Sequence, residues 1–211
     1  MKHDVFTEGL LRYYTEEELS RIRSAVIGIA GAGGLGSNAA HMLVRSGFRR
    51  FVLADFDCVE PSNLNRQFFY PAQIGQKKVY ALRETLLAID PGIHAECFAG
   101  RVERENMPEL FSGCNILIEA LDGAESKAEF VSCALRMGKP VVCASGICGC
   151  GNTDAVRVKK ISASLYIVGD GKTEASRQTP PLCPRVVLAA AKQADIALCL
   201  ILGKEVVAYD A

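Results

Sequence analysis

Four glycines in one short stretch are the first residues of this sequence whose spacing can do chemistry. They are Gly31, Gly33, Gly34 and Gly36, between an apolar run at residues 25–30 and a segment of helical periodicity at residues 37–46. Glycines let a backbone turn sharply and approach a phosphate, and a helix N-terminus adds unpaired N–H groups and a partial positive charge. The stretch therefore predicts a nucleotide-binding turn, which would suit NAD, FAD or ATP.

An acidic residue follows at the distance that this interpretation requires. A second apolar run at residues 51–54 ends in Asp55, which lies 19 residues beyond Gly36. At the end of the second strand of a strand–helix–strand unit, a carboxylate can bond the hydroxyls of a ribose. Tight strand–helix packing without a ligand explains the glycines but not the carboxylate. We therefore predict that Asp55 binds a ribose.

The residues after Asp55 are unusually polar and suit phosphate oxygens. Around Leu64 they are Asp57, Ser62, Asn63, Asn65, Arg66 and Gln67. Side-chain amides such as that of Asn63 can donate to phosphate, and Arg66 offers a charged fork. Lys78 follows Gly75 at the start of the next predicted helix and adds a mobile cation. This set predicts a triphosphate, and hence ATP, as the ligand.

A further carboxylate follows the fourth apolar run. Asp122 and Gly123 come directly after residues 116–120, at the sheet edge where open α/β sheets bind ligands. A single carboxylate there can hold Mg²⁺ by one contact and leave its other positions to water and phosphate. Taken one at a time, Arg66 and Lys78 also fit surface charges, Asn63 a turn, and Asp122 a cap.

Two rival functions explain parts of this pattern. A nicotinamide-dependent oxidoreductase explains the glycine turn and Asp55, but gives no reason for Arg66, Lys78 and Asp122. A non-catalytic binding module that retains the nucleotide fold as a scaffold explains the turn, but not an intact set of phosphate contacts. ATP binding separates the first rival from an ATP-dependent enzyme, and adenylate formation separates the second.

The elements that must position these residues alternate along the chain. Helices are predicted at residues 14–23, 37–46, 79–89, 103–111, 124–137 and 184–202, and strands at residues 25–30, 51–54, 93–98, 116–120 and 141–144. Residues 156–158 and 165–168 predict an antiparallel pair at one edge. This rhythm predicts an α/β fold: a doubly wound, mainly parallel Rossmann-like sheet with an antiparallel edge extension. We expect one domain over residues 1–211, with an N-terminal helical segment (1–23), a nucleotide-binding core (24–155) and a closing segment (156–211).

Composition and charge exclude several classes of protein. The chain has 211 residues with 24 basic and 24 acidic side chains, so its formal net charge is zero. Phosphate neutralisation needs surplus cations, so we expect no nucleic-acid partner. We expect no secretory signal and no membrane span, because the apolar stretch at residues 186–202 contains Lys192 and Asp195. The nine cysteines are then reduced, mostly buried thiols of a cytoplasmic protein.

The motifs together resemble those of a known family. Residues 31–36, 55–67, 75–78 and 121–123 resemble the ThiF/MoeB/HesA family, the bacterial relatives of ubiquitin-activating enzymes. The resemblance covers roughly residues 20–205, and the combination of the glycine turn with residues 55–67 is highly specific. Residues 165–171, residues 184–186 and the last predicted helix look like the short form of ThiF, the adenylyltransferase that acts on the sulfur carrier ThiS.

This resemblance implies a reaction and roles for the residues. ATP would adenylylate the C-terminal Gly-Gly carboxylate of a small ubiquitin-like sulfur carrier and release pyrophosphate, for thiamine or related sulfur transfer. The glycine turn would approach the nucleotide, Asp55 would bind the ribose, residues 62–66 with Lys78 would contact phosphates, and Asp122 with Gly123 would match the Mg-ATP position. A homodimer is also implied. A relative acting on another acceptor, such as a tRNA threonylcarbamoyladenosine dehydratase, remains an alternative that the neutral charge disfavours.

The sequence departs from the family at three places. It has no C-x-x-C pair, and Cys148 with Cys150 forms only a C-x-C, so we predict no zinc site. The acceptor thiol of some relatives falls near Ser176, while Cys183, which we expect to be packed before Pro184, stays a weak candidate. The N-terminal arginine that reaches a partner subunit in some relatives is unassigned among Arg12, Arg21 and Arg23.

Overall fold

Seven α-helices and seven strands make up the regular part of the chain in the computed structural model, which describes residues 4–209. The helices are α1 (Val5–Leu10), α2 (Glu16–Ser24), α3 (Gly34–Arg45), α4 (Lys78–Leu87), α5 (Met107–Phe111), α6 (Ala124–Arg136) and α7 (Cys183–Leu202). The strands are β1 (Val26–Ala30), β2 (Arg50–Ala54), β3 (His94–Phe98), β4 (Ile116–Glu119), β5 (Val141–Ala144), β6 (Arg157–Ser162) and β7 (Leu165–Gly169). Short 3₁₀ turns lie at Pro61–Asn63, Pro71–Gln73 and Thr153–Ala155.

The strands form one sheet in the order β3-β2-β1-β4-β5-β7-β6. All neighbouring pairs run parallel except β6 and β7, which are antiparallel. The chain runs outward from β1 through β2 to β3 and then returns to place β4 on the other side of β1. Such a reversal opens a crevice at the carboxyl ends of the strands. The predicted fold class is confirmed.

The two faces of the sheet bury two hydrophobic clusters. Ile27 and Ile29 of β1 point to the face covered by α2, α3, α4 and α7. Leu117 of β4 and Val141 of β5 point to the opposite face, with Met107 of α5 and side chains of α6. Side chains alternate along a strand, so near-continuous apolar strands need cover on both faces. The sheet is therefore the middle layer of three.

The structure corrects several predicted elements. Helix α1 was not predicted: it has six residues, and its cap is the Asp4 carboxylate, which accepts the Thr7 N–H at 2.8 Å. Helix α3 starts at Gly34 rather than at residue 37, because the glycine turn itself supplies its first residues. Helix α5 starts at Met107 rather than at residue 103. The predicted antiparallel pair is confirmed as β6 and β7, although β6 extends to Ser162, and β7 also pairs in parallel with β5.

The outer edge of β6 is partly paired by the end of the described chain. The Tyr209 N–H donates to the Val158 carbonyl at 2.9 Å, and Tyr209 forms a parallel bridge with Lys159. The Arg157 guanidinium carbon lies 4.7 Å from the centre of the Tyr209 ring. Hydrogen bonding and cation–π contact thus attach the chain end to this strand.

Three predictions about the whole chain can be placed against the structure. In the described part, no helix is both long and apolar enough to cross a membrane. All nine cysteines are free thiols; four are buried and three half-buried, whereas Cys150 and Cys183 are exposed. The expectation that Cys183 is packed is therefore wrong. The prediction of one domain also includes residues 1–3 and 210–211, which lie outside the described residues.

Candidate functional site

The glycine turn links the carboxyl end of β1 to α3 and leaves no room for a side chain at Gly31 or Gly36. Gly31 has a φ of +94°, and its N–H donates to the Ala54 carbonyl of β2 at 2.8 Å. A Cβ on Gly36 would lie 1.8 Å from the Gly31 carbonyl oxygen. Only glycine permits a positive φ at no steric cost and so close an approach of two backbone segments. The turn is therefore built as predicted.

Asp55 lies at the end of β2 and holds this turn. Its carboxylate accepts the Ala32 N–H at 2.7 Å and the Asp57 N–H at 2.8 Å. Burial raises the pKa of Asp55, although the two N–H donors and the Lys78 ammonium oppose that shift. Asp55 therefore joins β2 to the glycine turn, and this contact comes in addition to the predicted contact with a ribose.

Two polar residues of α3 that the sequence analysis missed hold the polar segment against the turn. The buried Ser37 hydroxyl donates to the Gly33 carbonyl at 2.6 Å and accepts the Phe68 N–H at 2.9 Å. The buried Asn38 amide donates to the carbonyls of Gly34 at 2.7 Å and Arg66 at 2.8 Å. The sequence offers one indication of this role: Ser37 and Asn38 lie among buried apolar residues, where a polar side chain needs a hydrogen-bonding partner.

Two clefts open around the turn at the carboxyl ends of the strands. The larger has a volume of about 540 Å³, the smaller about 210 Å³, and both are lined by Ala120, Leu121 and Asp122. Gly34, Arg66 and Gln67 line the larger cleft. The smaller cleft is lined by the predicted site residues Gly31, Gly33, Asp55, Asp57, Lys78 and Gly123. Most of the predicted site residues thus lie around one connected crevice.

The three predicted charged groups take up different positions in this crevice. Lys78 is buried, and its ammonium lies 2.8 Å from an Asp57 carboxylate oxygen in the smaller cleft. Arg66 lines the larger cleft, and its guanidinium donates to Asn65 Oδ1 at 2.8 Å. Asp122 is exposed where the clefts meet. Two cations and one carboxylate around a glycine turn can hold a polyanion together with a metal ion.

The structure gives the rest of the polar segment a supporting position. The residues that line both clefts in the described chain do not include Ser62, Asn63, Leu64 or Asn65. Asn63 Oδ1 accepts the Glu60 N–H at 3.0 Å, and the Ser62 carbonyl accepts from the Arg66 guanidinium at 3.2 Å. The predicted phosphate contacts of these residues stay predictions.

A buried ion pair, also missed from the sequence, borders the larger cleft. Glu119 ends β4, is fully buried, and its carboxylate oxygens lie 2.9 and 3.0 Å from the Lys127 ammonium. Glu119 Oε1 also accepts the Leu121 N–H at 2.7 Å. Burial raises the pKa of Glu119, and the Lys127 ammonium opposes that shift. The pair fixes the backbone directly before Asp122.

The segment that crosses from β7 to α7 is tied down beside the larger cleft. The Arg185 guanidinium donates to an Asp170 carboxylate oxygen at 2.6 Å, and Asp170 also accepts from the backbone of Lys172 and from Thr173. Burial opposes ionisation of Asp170, but these hydrogen bonds outweigh it and hold the pKa of Asp170 well below its usual range. Lys172 and Thr173 therefore present a fixed wall to the cleft.

The positions of the thiols, the N-terminal arginines and possible metal ligands complete the site. Cys148 is buried in the lining of the larger cleft, whereas Cys183 is exposed at the start of α7. Arg21 donates to the Leu202 carbonyl at 2.5 Å, and Arg23 donates to the Thr7 hydroxyl. Within residues 4–209, no three His, Cys, Asp or Glu side chains are grouped to hold a metal ion. A Mg²⁺ at Asp122 needs only one protein oxygen, and that exposed carboxylate fits it.

Comparisons with known proteins relate the chain to a family and to several relatives. The model of the ThiF family matches residues 8–208. Ubiquitin-like modifier-activating enzyme 5 of Oryza sativa subsp. japonica is 32% identical over 178 residues, which cover 82% of this chain and 42% of the relative. The enzyme of the same name from Arabidopsis thaliana is 31% identical over 190 residues, again covering 82% and 42%. The chain thus spans about two fifths of these relatives.

Solved structures share the fold at lower identity. The E. coli tRNA N6-threonylcarbamoyladenosine dehydratase in complex with ATP superposes with a TM-score of 0.83 at 22% identity and covers 93% of both chains. E. coli MccB with ATP superposes with a TM-score of 0.72 at 20% identity, over 96% of this chain and 64% of that one. At these identities the likeness is one of fold.

Proposed function

The chain belongs to the ThiF family, and from this premise we propose that it is an ATP-dependent adenylyltransferase acting on the C-terminal Gly-Gly carboxylate of a small ubiquitin-like sulfur carrier similar to ThiS. The product is a carrier acyl-adenylate, and pyrophosphate is released. The observation that carries the proposal is the placement of Arg66, Lys78 and Asp122 along two clefts that meet at the glycine turn.

The chemistry requires positioning more than proton transfer. A C-terminal carboxylate has a pKa of about 3.5, so it is ionised at neutral pH and attacks without a general base. Its oxygen forms a bond to the α-phosphorus while the bond from that phosphorus to the bridging oxygen of pyrophosphate breaks. Arg66 and Lys78 act by balancing negative charge on the phosphates and on the departing pyrophosphate.

The remaining residues hold the reactants in place. Asp55 orients the ribose from the end of β2, and the N–H groups at the start of α3 face the phosphates. Asp122 is the residue that would hold Mg²⁺, which supplies charge neutralisation of the phosphates when bound. Bringing an anionic carboxylate to a polyanion costs Coulomb energy, so these fixed positive charges are the main source of rate enhancement.

The larger cleft suits an extended peptide tail. It has a volume of about 540 Å³ and reaches from Gly34 to Ser145 and the segment beyond Asp170. An extended Gly-Gly tail has no side chains to exclude, so a narrow cleft selects it by size. Thiamine or related sulfur transfer is then the route that consumes the adenylate. We further propose a homodimer, in which the exposed Arg12 reaches the partner subunit; within the described residues, the side chains of Arg21 and Arg23 are already engaged in hydrogen bonds.

The test is carrier-dependent exchange of labelled pyrophosphate into ATP. With a small ubiquitin-like protein ending in Gly-Gly, the wild type is expected to exchange, whereas Arg66→Ala and Asp122→Ala each lose a hundredfold or more, corresponding to about 3 kcal/mol. Exposed residues outside both clefts provide matched controls, Arg104→Ala and Asp154→Ala, which are expected to exchange like the wild type. Near-wild-type exchange in both site variants contradicts the proposal.

The acceptor is tested in the same assay. A carrier that lacks its last glycine is expected to support no exchange, because the attacking carboxylate is then displaced from the α-phosphorus. The carrier assignment is contradicted if pyrophosphate exchange or ATP hydrolysis does not depend on the carrier but is stimulated by tRNA bearing N6-threonylcarbamoyladenosine. That result would leave adenylylation itself intact.

A further inference from the structure

The larger cleft contains a lysine whose ammonium group has no acidic partner within the described chain. Lys172 lies on the segment between β7 and α7, is exposed, and lines this cleft. The ion pairs formed among residues 4–209 do not include it. Its backbone, by contrast, is held in place, because the Lys172 N–H donates to Asp170 Oδ1 at 2.8 Å. A fixed backbone thus carries an ammonium group that can meet a ligand.

The packing of this segment places Lys172 at the carboxyl end of the sheet. A Cβ on Gly146 would lie 2.9 Å from the Lys172 backbone nitrogen, so the segment packs directly on the residues that follow β5. Strands β4, β5 and β7 are neighbours in the sheet, and Asp122 follows β4. Neighbouring strands lie about 4.8 Å apart, so the ends of β4 and β7 are about 10 Å apart. A lysine has a long flexible stem, so its ammonium can reach a group bound between Asp122 and β7.

The other cations that line the larger cleft have different partners. The Lys127 ammonium donates to both carboxylate oxygens of Glu119 and to the Ala144 carbonyl, which uses all of its N–H groups. The Arg66 side chain packs against the glycine turn and is the residue proposed above for the phosphates. Among the described residues, Lys172 is therefore the cation of this lining that is available for a second anion.

The tail of a carrier protein brings such an anion into the cleft. Its terminal carboxylate must pass apolar walls that include Leu121, Ile147 and Val186. Moving a carboxylate from water into such surroundings costs free energy unless a cation pairs with it. Glu174 lines the cleft as well and repels an anion, which makes a matching cation necessary. An ammonium at the end of β7 can hold one carboxylate oxygen while the other oxygen faces the α-phosphorus.

We propose that Lys172 is a substrate-binding residue that receives the C-terminal carboxylate of the carrier and holds it beside the α-phosphate. This inference rests on the proposed function, because it needs a carrier tail in the larger cleft. It gives the carrier a contact that is separate from the contacts of Arg66 and Lys78 with the nucleotide. Lys172 therefore determines the affinity for a carrier with an ionised terminus and leaves the affinity for ATP unchanged.

The test measures the binding of two forms of one carrier by calorimetry. The carrier is ThiS with its free Gly-Gly terminus or with that terminus amidated, and the enzyme is saturated with Mg²⁺ and α,β-methylene-ATP so that no adenylate forms. The wild type is expected to prefer the free carboxylate about tenfold. Lys172→Met is expected to lose this preference by weakening the binding of the free form alone. Lys172→Arg, which retains the charge, is expected to keep most of the preference.

Two comparisons separate this contact from other roles. Arg177→Met removes an exposed cation of the same segment that lines neither cleft in the described chain, and is expected to leave the preference unchanged. ATP alone is expected to bind Lys172→Met as tightly as the wild type, and weaker ATP binding would make Lys172 a phosphate contact and overturn the inference.

The outcomes also distinguish this inference from the proposed function. Equal binding of the two forms of ThiS by the wild type, or a preference that persists in Lys172→Met, overturns the inference alone. If the wild type binds neither form of ThiS, both the inference and the proposed function are contradicted.

Discussion

The Lys127 ammonium and the Glu119 carboxylate form a two-pronged ion pair, at 2.9 and 3.0 Å, between the end of β4 and the first turns of α6. Glu119 is completely buried, whereas about a quarter of the Lys127 side chain is exposed to the larger cleft. Lys127 also donates to the Ala144 carbonyl at 3.3 Å, and the buried Gln193 amide donates to the Glu119 carbonyl at 3.0 Å. The pair thus connects β4, β5, α6 and α7 directly beside Asp122.

Removing the lysine alone is expected to leave a buried charge without its partner. Lys127→Met should lower the free energy of unfolding by about 3 kcal/mol, measured by urea denaturation at neutral pH. The double variant Glu119→Gln with Lys127→Met should recover part of that loss, because a neutral amide can still accept the Leu121 N–H. If the double variant loses as much free energy of unfolding as Glu119→Gln and Lys127→Met lose together when measured singly, direct coupling of the two side chains is contradicted.

The contacts of Asn38 predict an effect on nucleotide affinity through Arg66. Asn38→Ala leaves the carbonyls of Gly34 and Arg66 without their donor, so a loss of about 2 kcal/mol in stability is expected. ATP binding should weaken at the same time, because the segment that carries Arg66 is no longer fixed to α3. Asn152→Ala, which removes an exposed amide at the short turn Thr153–Ala155, is the matched control and should leave ATP affinity unchanged.

The close approach within the glycine turn predicts a severe effect from a single methyl group. In Gly36→Ala the new Cβ would lie 1.8 Å from the Gly31 carbonyl oxygen, so the turn must move. We expect a loss of about 3 kcal/mol in thermal or urea unfolding, together with loss of ATP binding by calorimetry. Gly113→Ala, whose Cβ would meet nothing within 4 Å, should behave like the wild type. Equal behaviour of the two variants would contradict this account.

The depressed pKa of Asp170 predicts a pH-dependent contribution to stability. A carboxyl whose pKa is lower in the folded state stabilises the protein above its unfolded pKa, about 3.9, and loses that contribution as the pH falls toward the folded pKa. Asp170→Asn should therefore cost about 2 kcal/mol at neutral pH, since Arg185 loses its charged partner. The difference from the wild type should shrink below about pH 4. A difference that stays constant between pH 7 and pH 3 would show that the charge of Asp170 is not its cause.

The sequence predicts best those features that lie close together along the chain. The glycine turn and Asp55 at the next strand end depend on local spacing, and the structure has both of them. The Lys78–Asp57 pair joins two motifs that the sequence identified separately. The mainly parallel sheet could be predicted for the same reason, because apolar strands and helices alternate along the chain.

The parts that were missed depend on contacts between distant residues. Glu119 and Lys127 lie on two elements whose relative position is set only when α6 packs on the sheet, and Phe56 meets Arg101 across the ends of β2 and β3. From the sequence alone, Ser37 and Asn38 are ordinary residues of an amphipathic helix. Their hydrogen bonds to Phe68 and Arg66 form only when the segment after Asp55 packs against α3. Strand β7 also pairs in parallel with β5, and that contact between distant segments is not visible in the local pattern that predicts the β6–β7 hairpin.

The outer edge of β6 affects how the protein behaves at high concentration. A sheet edge with free N–H and C=O groups is a template on which other chains can polymerise. Here that strand carries Arg157, Lys159 and Lys160, and the chain's own Tyr209 occupies one of its hydrogen-bonding positions. Like charges on approaching edges repel one another, so concentrated solutions should resist fibril growth from this side of the molecule.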